Sequence, residues 1–132
     1  MQLFLFHAGF MAISMLCVAA GITIVKTPAL KRRYFPYHRI AGIAGTVCVY
    51  LGLATAVVMV SIGMGQHVRV PHAWLGILTV LGMTATLALG FLQFTWKAKT
   101  QKIRASHRWL GRAMALLLPA AAITGLIHAG IL

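Results

Sequence analysis

The stretch HAWLGILTVLGMTATLALGFLQFTW, residues 72–96, runs for 25 residues without a Lys, Arg, Asp or Glu. As an α-helix rising 1.5 Å per residue it reaches roughly 37 Å, longer than a bilayer hydrocarbon core of about 30 Å. Pro71 stands directly before it, where proline opens a helix. Trp74 and Trp96 lie near its two ends, the depth at which indoles collect in a membrane interface. The stretch reads as a transmembrane helix that starts on a histidine and has a glycine four residues later.

Three further apolar segments flank it, at about 3–25, 38–65 and 107–131, each long enough to span. The connections, 26–37, 66–71 and 97–106, are short, so consecutive helices should be antiparallel neighbours. The expected fold is all-α, a four-transmembrane-helix antiparallel bundle forming one domain over 1–132, with no soluble module. Pro28, Pro36 and Pro71 fall in or at the ends of connections, and Pro119 lies inside the last segment, where a kink is expected. The first segment has no basic residue before Lys26 and exceeds the apolar run of a signal peptide, so it reads as a retained helix.

Composition agrees with a membrane protein: 61% of residues are hydrophobic and the mean hydropathy is +0.90. There are 12 Lys and Arg and no Asp or Glu. That absence excludes a two-carboxylate hydrolase, an HExxH zinc site and a carboxylate proton relay. Negative charge must come from lipid headgroups, a partner or a cofactor. Cys17 and Cys48 fall near the middles of apolar segments and read as small buried hydrophobes. No CxxCH occurs, so covalent haem attachment is excluded.

Eleven of the twelve cations fall at one end of the expected bundle. Lys26, Lys31, Arg32, Arg33 and Arg39 lie in or beside the first connection. Lys97, Lys99, Lys102, Arg104, Arg108 and Arg112 lie in or beside the third. The middle connection has only Arg69. The positive-inside rule then puts the first and third connections in the cytoplasm and both termini outside, in a plasma or inner membrane. A basic cluster of this kind sets topology and meets anionic lipid, and no nucleic-acid partner is expected.

Four of the six histidines repeat with the helices. His7, His38, His72 and His107 each fall near the start of a segment. In an up-down-up-down bundle the starts of the first and third helices share one face, and those of the second and fourth share the other. His7 should therefore meet His72, and His38 should meet His107. Diagonal helices of a square bundle lie about 12–14 Å apart when neighbours pack at 8–10 Å, a span that suits two imidazoles with a metal between them. Three segments continue as His-x-x-x-Gly, giving Gly42, Gly76 and Gly111; His7 has Met11 in that place. A glycine one turn along the same face leaves a flat gap against which a porphyrin could lie. Each face offers two histidines and no carboxylate, a poor zinc site and an apt bis-histidine haem site. The expected cofactors are two noncovalent b-type haems with irons roughly 20 Å apart. Arg39 and Arg108 each follow a cytoplasmic-side histidine and are candidate propionate partners. Tyr50, Phe91 and Phe94 are candidates to fill space around the rings. His67 and His128 read as interfacial residues rather than ligands.

The HAWLG and HRWLG motifs at residues 72–76 and 107–111, with His7 and His38 placed as they are, resemble the four-helix haem core of the cytochrome b561 superfamily. The resemblance covers nearly the whole chain. It implies two b haems in the diagonal pairs His7/His72 and His38/His107. It also implies electron flow from a cytoplasmic donor, often ascorbate, to an acceptor outside. Two features depart from the family. Only its central four helices are present, where familiar eukaryotic relatives have six. Pro71 precedes the third-helix histidine, where the family often has serine.

The leading functional expectation is transmembrane electron transfer, as an electron-transfer protein or a transmembrane oxidoreductase with no catalytic side chain of its own. Its expected partners are membrane lipid and a small anionic or quinone redox donor. The alternative is a haem-bearing anchor subunit that exchanges electrons with quinone inside a larger complex or beside a second copy of the chain. A non-redox membrane assembly protein is the third. The charge asymmetry generates a direct test of orientation. Cysteines placed at Lys31 and Lys99 in intact cells should resist a membrane-impermeant thiol reagent; ready labelling of both would invert the bundle.

Overall fold

The computed structural model describes residues 2–63 and 67–132, the side chain of Lys31 excepted. It is all-α. Four long helices follow one another: α1 over Gln2–Lys26, α2 over Pro28–Gly63, α3 over Pro71–Thr95 and α4 over Thr100–His128, with a single 3₁₀ turn, η1, at Lys97–Lys99. Each is long and apolar enough to cross a membrane, which suggests an integral membrane protein. Leu16, Ile62 and Leu116, each at least 70% exposed, show the surface such a protein presents to lipid.

Two helix starts differ from the sequence expectation. α2 begins at Pro28, ten residues before His38, and α4 begins at Thr100, seven before His107. The basic stretches expected to be loops are helical extensions of the spans. Apolar patterning marks where lipid lies, not where hydrogen bonding stops, and Lys, Arg, Gln and Ala are all good helix formers. Pro28 occupies the first helical position, where it lacks no needed N–H. Pro36, expected in a connection, lies inside α2. The carbonyl it leaves unpaired is that of Arg32, on an exposed stretch. The first connection therefore shrinks to Thr27, whose N–H bonds the Thr23 carbonyl at 3.0 Å. α4 ends at His128, three residues before the expected end; the expected end of the second segment at 65 lies outside the described residues. α3 starts as expected, with Pro71 at its first turn and Val70 extended ahead of it (φ −114°, ψ 151°).

The helices form two hairpins. α1 packs along α2 and α3 along α4; the hairpins meet less extensively, α2 against α3 and α1 against α4. The diagonals α1/α3 and α2/α4 do not approach each other's backbones. This is the square arrangement that short connections imply. Within the hairpins, small residues permit close approach. Met11 packs flush on Gly52, Cys17 on Gly45 and Met114 on Gly82. The centre of the bundle is closed by Val49, Met83, Met114 and Leu118, with Met15, Val18 and Val80 around them.

Gly45 is the tightest fixed contact between α1 and α2. A Cβ there would lie 3.1 Å from the Cys17 Cβ and 3.6 Å from the Ser14 carbonyl, neither of which can swing away. Gly45→Ala should therefore part the first hairpin and lower its stability by about 1–3 kcal/mol, read as an earlier thermal midpoint in detergent. Gly9→Ala, where a Cβ meets nothing within 4 Å, should not lower the midpoint, since alanine favours the helix.

Candidate functional site: two imidazole pairs

Helix polarity puts the four repeating histidines at two depths, and the structure brings them together as the expected diagonal pairs. The His7 and His72 ring centroids are 6.0 Å apart with planes at 88°. Those of His38 and His107 are 6.0 Å apart at 89°. All four rings are half-buried.

Each imidazole is anchored the same way. His7 Nδ1 bonds the Gly52 carbonyl at 2.8 Å and His38 Nδ1 bonds the Gly21 carbonyl at 3.0 Å. His72 Nδ1 bonds the Ala121 carbonyl at 2.8 Å and His107 Nδ1 bonds the Thr86 carbonyl at 2.9 Å. A carbonyl only accepts, so Nδ1 must carry the proton in every case. A neutral ring in that tautomer leaves the Nε2 lone pair free as a ligand. The bonds are reciprocal within each hairpin: α1 and α2 exchange one, and α3 and α4 exchange one.

These acceptors were not anticipated from the sequence, although the sequence holds their signal. Gly21, Gly52, Thr86 and Ala121 each lie 14 residues after the histidine of their own helix (7 to 21, 38 to 52, 72 to 86, 107 to 121). Fourteen residues are close to four turns, so histidine and acceptor share a face and lie about 21 Å apart along the axis. Antiparallel pairing then sets each histidine beside its neighbour's acceptor. The two imidazole pairs are therefore separated by about 21 Å of bundle, four turns of helix.

Two sets of glycines lie around the imidazole pairs. Gly21, Gly90 and Gly125 lie under imidazoles: a Cβ would meet His38 Nδ1 at 3.3 Å, His107 Cε1 at 3.3 Å and His72 Cε1 at 2.8 Å respectively. The His-x-x-x-Gly glycines face open space. A Cβ on Gly42 or Gly111 would reach its nearest neighbour only at 4.0 or 3.9 Å, and one on Gly76 meets nothing within 4 Å. Gly42 and Gly111 line a cavity of about 490 Å³ beside His38 and His107, together with Gly21, Gly90, Phe91 and Phe94. That volume falls among cofactor sites, which run about 300–1,000 Å³.

Arg39 lines this cavity, with its guanidinium 4.6 Å from the Phe91 ring centroid. Arg108 does not; it lines a separate polar groove. Tyr50 is also outside the cavity lining: it is exposed, on the α2–α3 seam, with its hydroxyl 2.8 Å from Thr84 Oγ1. Phe35 stacks on His38 at 5.9 Å, a contact not read from the sequence. His67 is exposed beyond α2, with Nε2 3.2 Å from Ser61 Oγ, and His128 is exposed at the end of α4. Neither belongs to a ring pair. No group of three or more His, Cys, Asp or Glu side chains gathers among the described residues, so a three-ligand zinc site is not formed from them.

No family model, curated protein or solved structure matches the chain.

The close glycines make the two pairs separable. Gly125→Ala should displace the His72 ring, which is pinned by the Ala121 carbonyl and has no slack. The imidazole resonances of His7 and His72 should shift while those of His38 and His107 stay. Gly90→Ala should do the reverse, more weakly because its clearance is larger.

Proposed function

We propose that this chain is an integral-membrane electron-transfer protein that holds two b-type haems, one between His7 and His72 and one between His38 and His107. The observation that carries the reading is the paired, perpendicular imidazoles, each with Nδ1–H fixed on a backbone carbonyl. Two imidazoles on one metal need their centroids about 6.3 Å apart, from metal–nitrogen bonds of about 2.0–2.1 Å and a ring centre-to-vertex distance of about 1.1 Å. The observed 6.0 Å fits this.

The residues around the inner pair also suit a planar macrocycle. Gly42 and Gly111 leave the backbone bare on the cavity wall, Phe91 and Phe94 give apolar walls, and Arg39 provides a cation for a propionate. On the outer pair, Gly76 leaves the corresponding gap, while Met11 turns onto Gly52 and away from that role. The resemblance to the cytochrome b561 core supports the same assignment. A bound haem would supply a one-electron Fe(III)/Fe(II) couple at each depth. The protein's part is to hold four neutral imidazoles in one tautomer, to exclude water with an apolar bundle and to place the two sites four turns apart.

The basic end is proposed to face the cytoplasm of a plasma or inner membrane, with both termini outside. Electrons would pass from a small donor at the basic end to an acceptor outside. A second reading, a haem-bearing anchor that exchanges electrons with quinone in a larger complex, is favoured by one feature. Ile40 and Phe94 line the cavity beside His38 and His107 and are both 58% exposed, apolar side chains that an isoprenoid ring or tail could cover. Quinol-dependent reduction of the purified protein would select that reading; reduction by a soluble anionic donor alone would select the first.

Ligand pairing gives the decisive experiment. Purified protein should contain two haems per chain, both extracted by acid–acetone. His7→Ala and His72→Ala should give the same one-haem spectrum, and His38→Ala and His107→Ala should give a second, different one. His67→Ala should keep both haems. A colourless protein, or loss of the outer haem in His128→Ala but not in His7→Ala, would overturn the assignment.

A further inference from the structure

At the basic end of the bundle, Lys97, Thr100, Gln101, Arg104 and Arg108 line an open groove of about 560 Å³. It shares no lining residue with the cavity beside His38 and His107. Thr100, Arg104 and Arg108 recur every four residues, so they stand on one face of α4. Lys97 comes from η1 and closes the end. All three cations are exposed, and none of their charged groups has a hydrogen bond or ion pair with a described residue. The chain has no Asp or Glu that could supply one. Three converging like charges repel unless an anion from outside the chain enters between them.

Two further features set the kind of anion. α4 opens here with Lys99 at its cap position and no side-chain cap; the Thr100 N–H bonds the Lys97 carbonyl, and the N–H groups that follow it in the first turn add partial positive charge beside the groove. Trp96 and Trp109 flank the groove residues in sequence and are both well exposed, at 57% and 69%. Trp96 caps the end of α3, where indoles mark headgroup depth, and Trp109 lies nine residues into α4, about 13 Å deeper. Two neighbouring cations are engaged by these rings: Lys99 lies over Trp96 at 5.9 Å and Arg112 over Trp109 at 4.9 Å. The groove is thus left with two guanidinium forks and one ammonium, donors that match the oxygens of a phosphoryl group.

We propose that this groove binds the phosphoryl group of an anionic phospholipid headgroup. Its depth supplies the lipid, and its unopposed charge selects a headgroup with net negative charge. Phosphatidylcholine carries a quaternary ammonium that would join three cations already present; phosphatidylglycerol does not. The proposal rests on the groove and is independent of what the imidazole pairs hold.

The test uses the whole chain in nanodiscs of equal parts phosphatidylcholine and phosphatidylglycerol, with retained lipid read by native mass spectrometry. The wild type should retain phosphatidylglycerol in preference to phosphatidylcholine. The double variant Arg104→Gln/Arg108→Gln should lose about 30-fold in retention, as expected for two basic contacts at a membrane surface. The single variant Arg104→Gln should lose about fivefold and guards against misfolding of the double. Arg32→Gln/Arg33→Gln removes equal charge from α2 and should retain lipid like the wild type. Equal loss in the two double variants, or equal retention of both lipids by the wild type, would reduce the groove to general surface charge and overturn the proposal. Displacement of the lipid by millimolar inorganic phosphate would show a free-phosphate site and overturn the lipid assignment.

Discussion

The structure depends on one hydrogen bond used four times, from a histidine Nδ1–H to a backbone carbonyl on the antiparallel neighbour. Inside a bilayer an unpaired imidazole N–H is costly, so the bond is strongly held. It does three things at once. It sets the register of α1 against α2 and of α3 against α4, because ring and acceptor must share a depth. It fixes the tautomer, leaving Nε2 as a lone-pair donor. It also demands a small acceptor region, since a ring can reach a helical carbonyl only where the neighbouring surface is bare. Gly21 meets that demand directly for His38, and Gly125, one turn beyond Ala121, meets it for His72. Thr86 does so with its hydroxyl folded back onto the Gly82 carbonyl at 2.7 Å.

The second constraint is the lack of any side-chain carboxylate. The chain cannot neutralise its own cations, so the basic end is built to receive charge from elsewhere. The structure divides that task. Arg39 turns toward the inner cavity over Phe91, Arg112 and Lys99 lie on indoles, and Arg104 and Arg108 share a groove. On the two proposed readings Arg39 would meet a cofactor carboxylate within the bundle, and Arg104 and Arg108 a headgroup phosphate at its rim.

The spans, their antiparallel order and the diagonal meeting of His7 with His72 and His38 with His107 were legible in the sequence, because length, apolarity and helix polarity fix them. Helix ends were not. Residues 28–37 and 100–106 are polar enough to resemble loops, yet nothing in Lys, Arg, Gln or Ala opposes a helix, and hydrophobicity is silent about hydrogen bonding. Side-chain direction was not legible either. Arg39 and Arg108 hold equivalent places beside their histidines, yet only Arg39 lines the cavity, over Phe91, while Arg108 lines the groove on α4. The acceptor carbonyls were hidden for another reason. A backbone oxygen has no residue identity, and only the common interval of fourteen residues betrays it.

The looseness between the hairpins follows from the same geometry. Hydrogen bonds and glycine contacts are concentrated within α1/α2 and within α3/α4, whereas α2/α3 and α1/α4 touch more lightly. Both imidazole pairs cross that looser boundary, since each takes one ring from each hairpin. On the proposed reading, two iron–nitrogen bonds per site would fasten hairpin to hairpin at two depths. Any ligand that binds only the assembled form stabilises it by mass action. The hairpins are thus packed closely within themselves, and on the proposed reading the bound groups would strengthen a union that Val49, Met83, Met114 and Leu118 already make. A tight four-helix core would satisfy packing alone, but it would fill the space that the glycines at 42, 76 and 111 keep open.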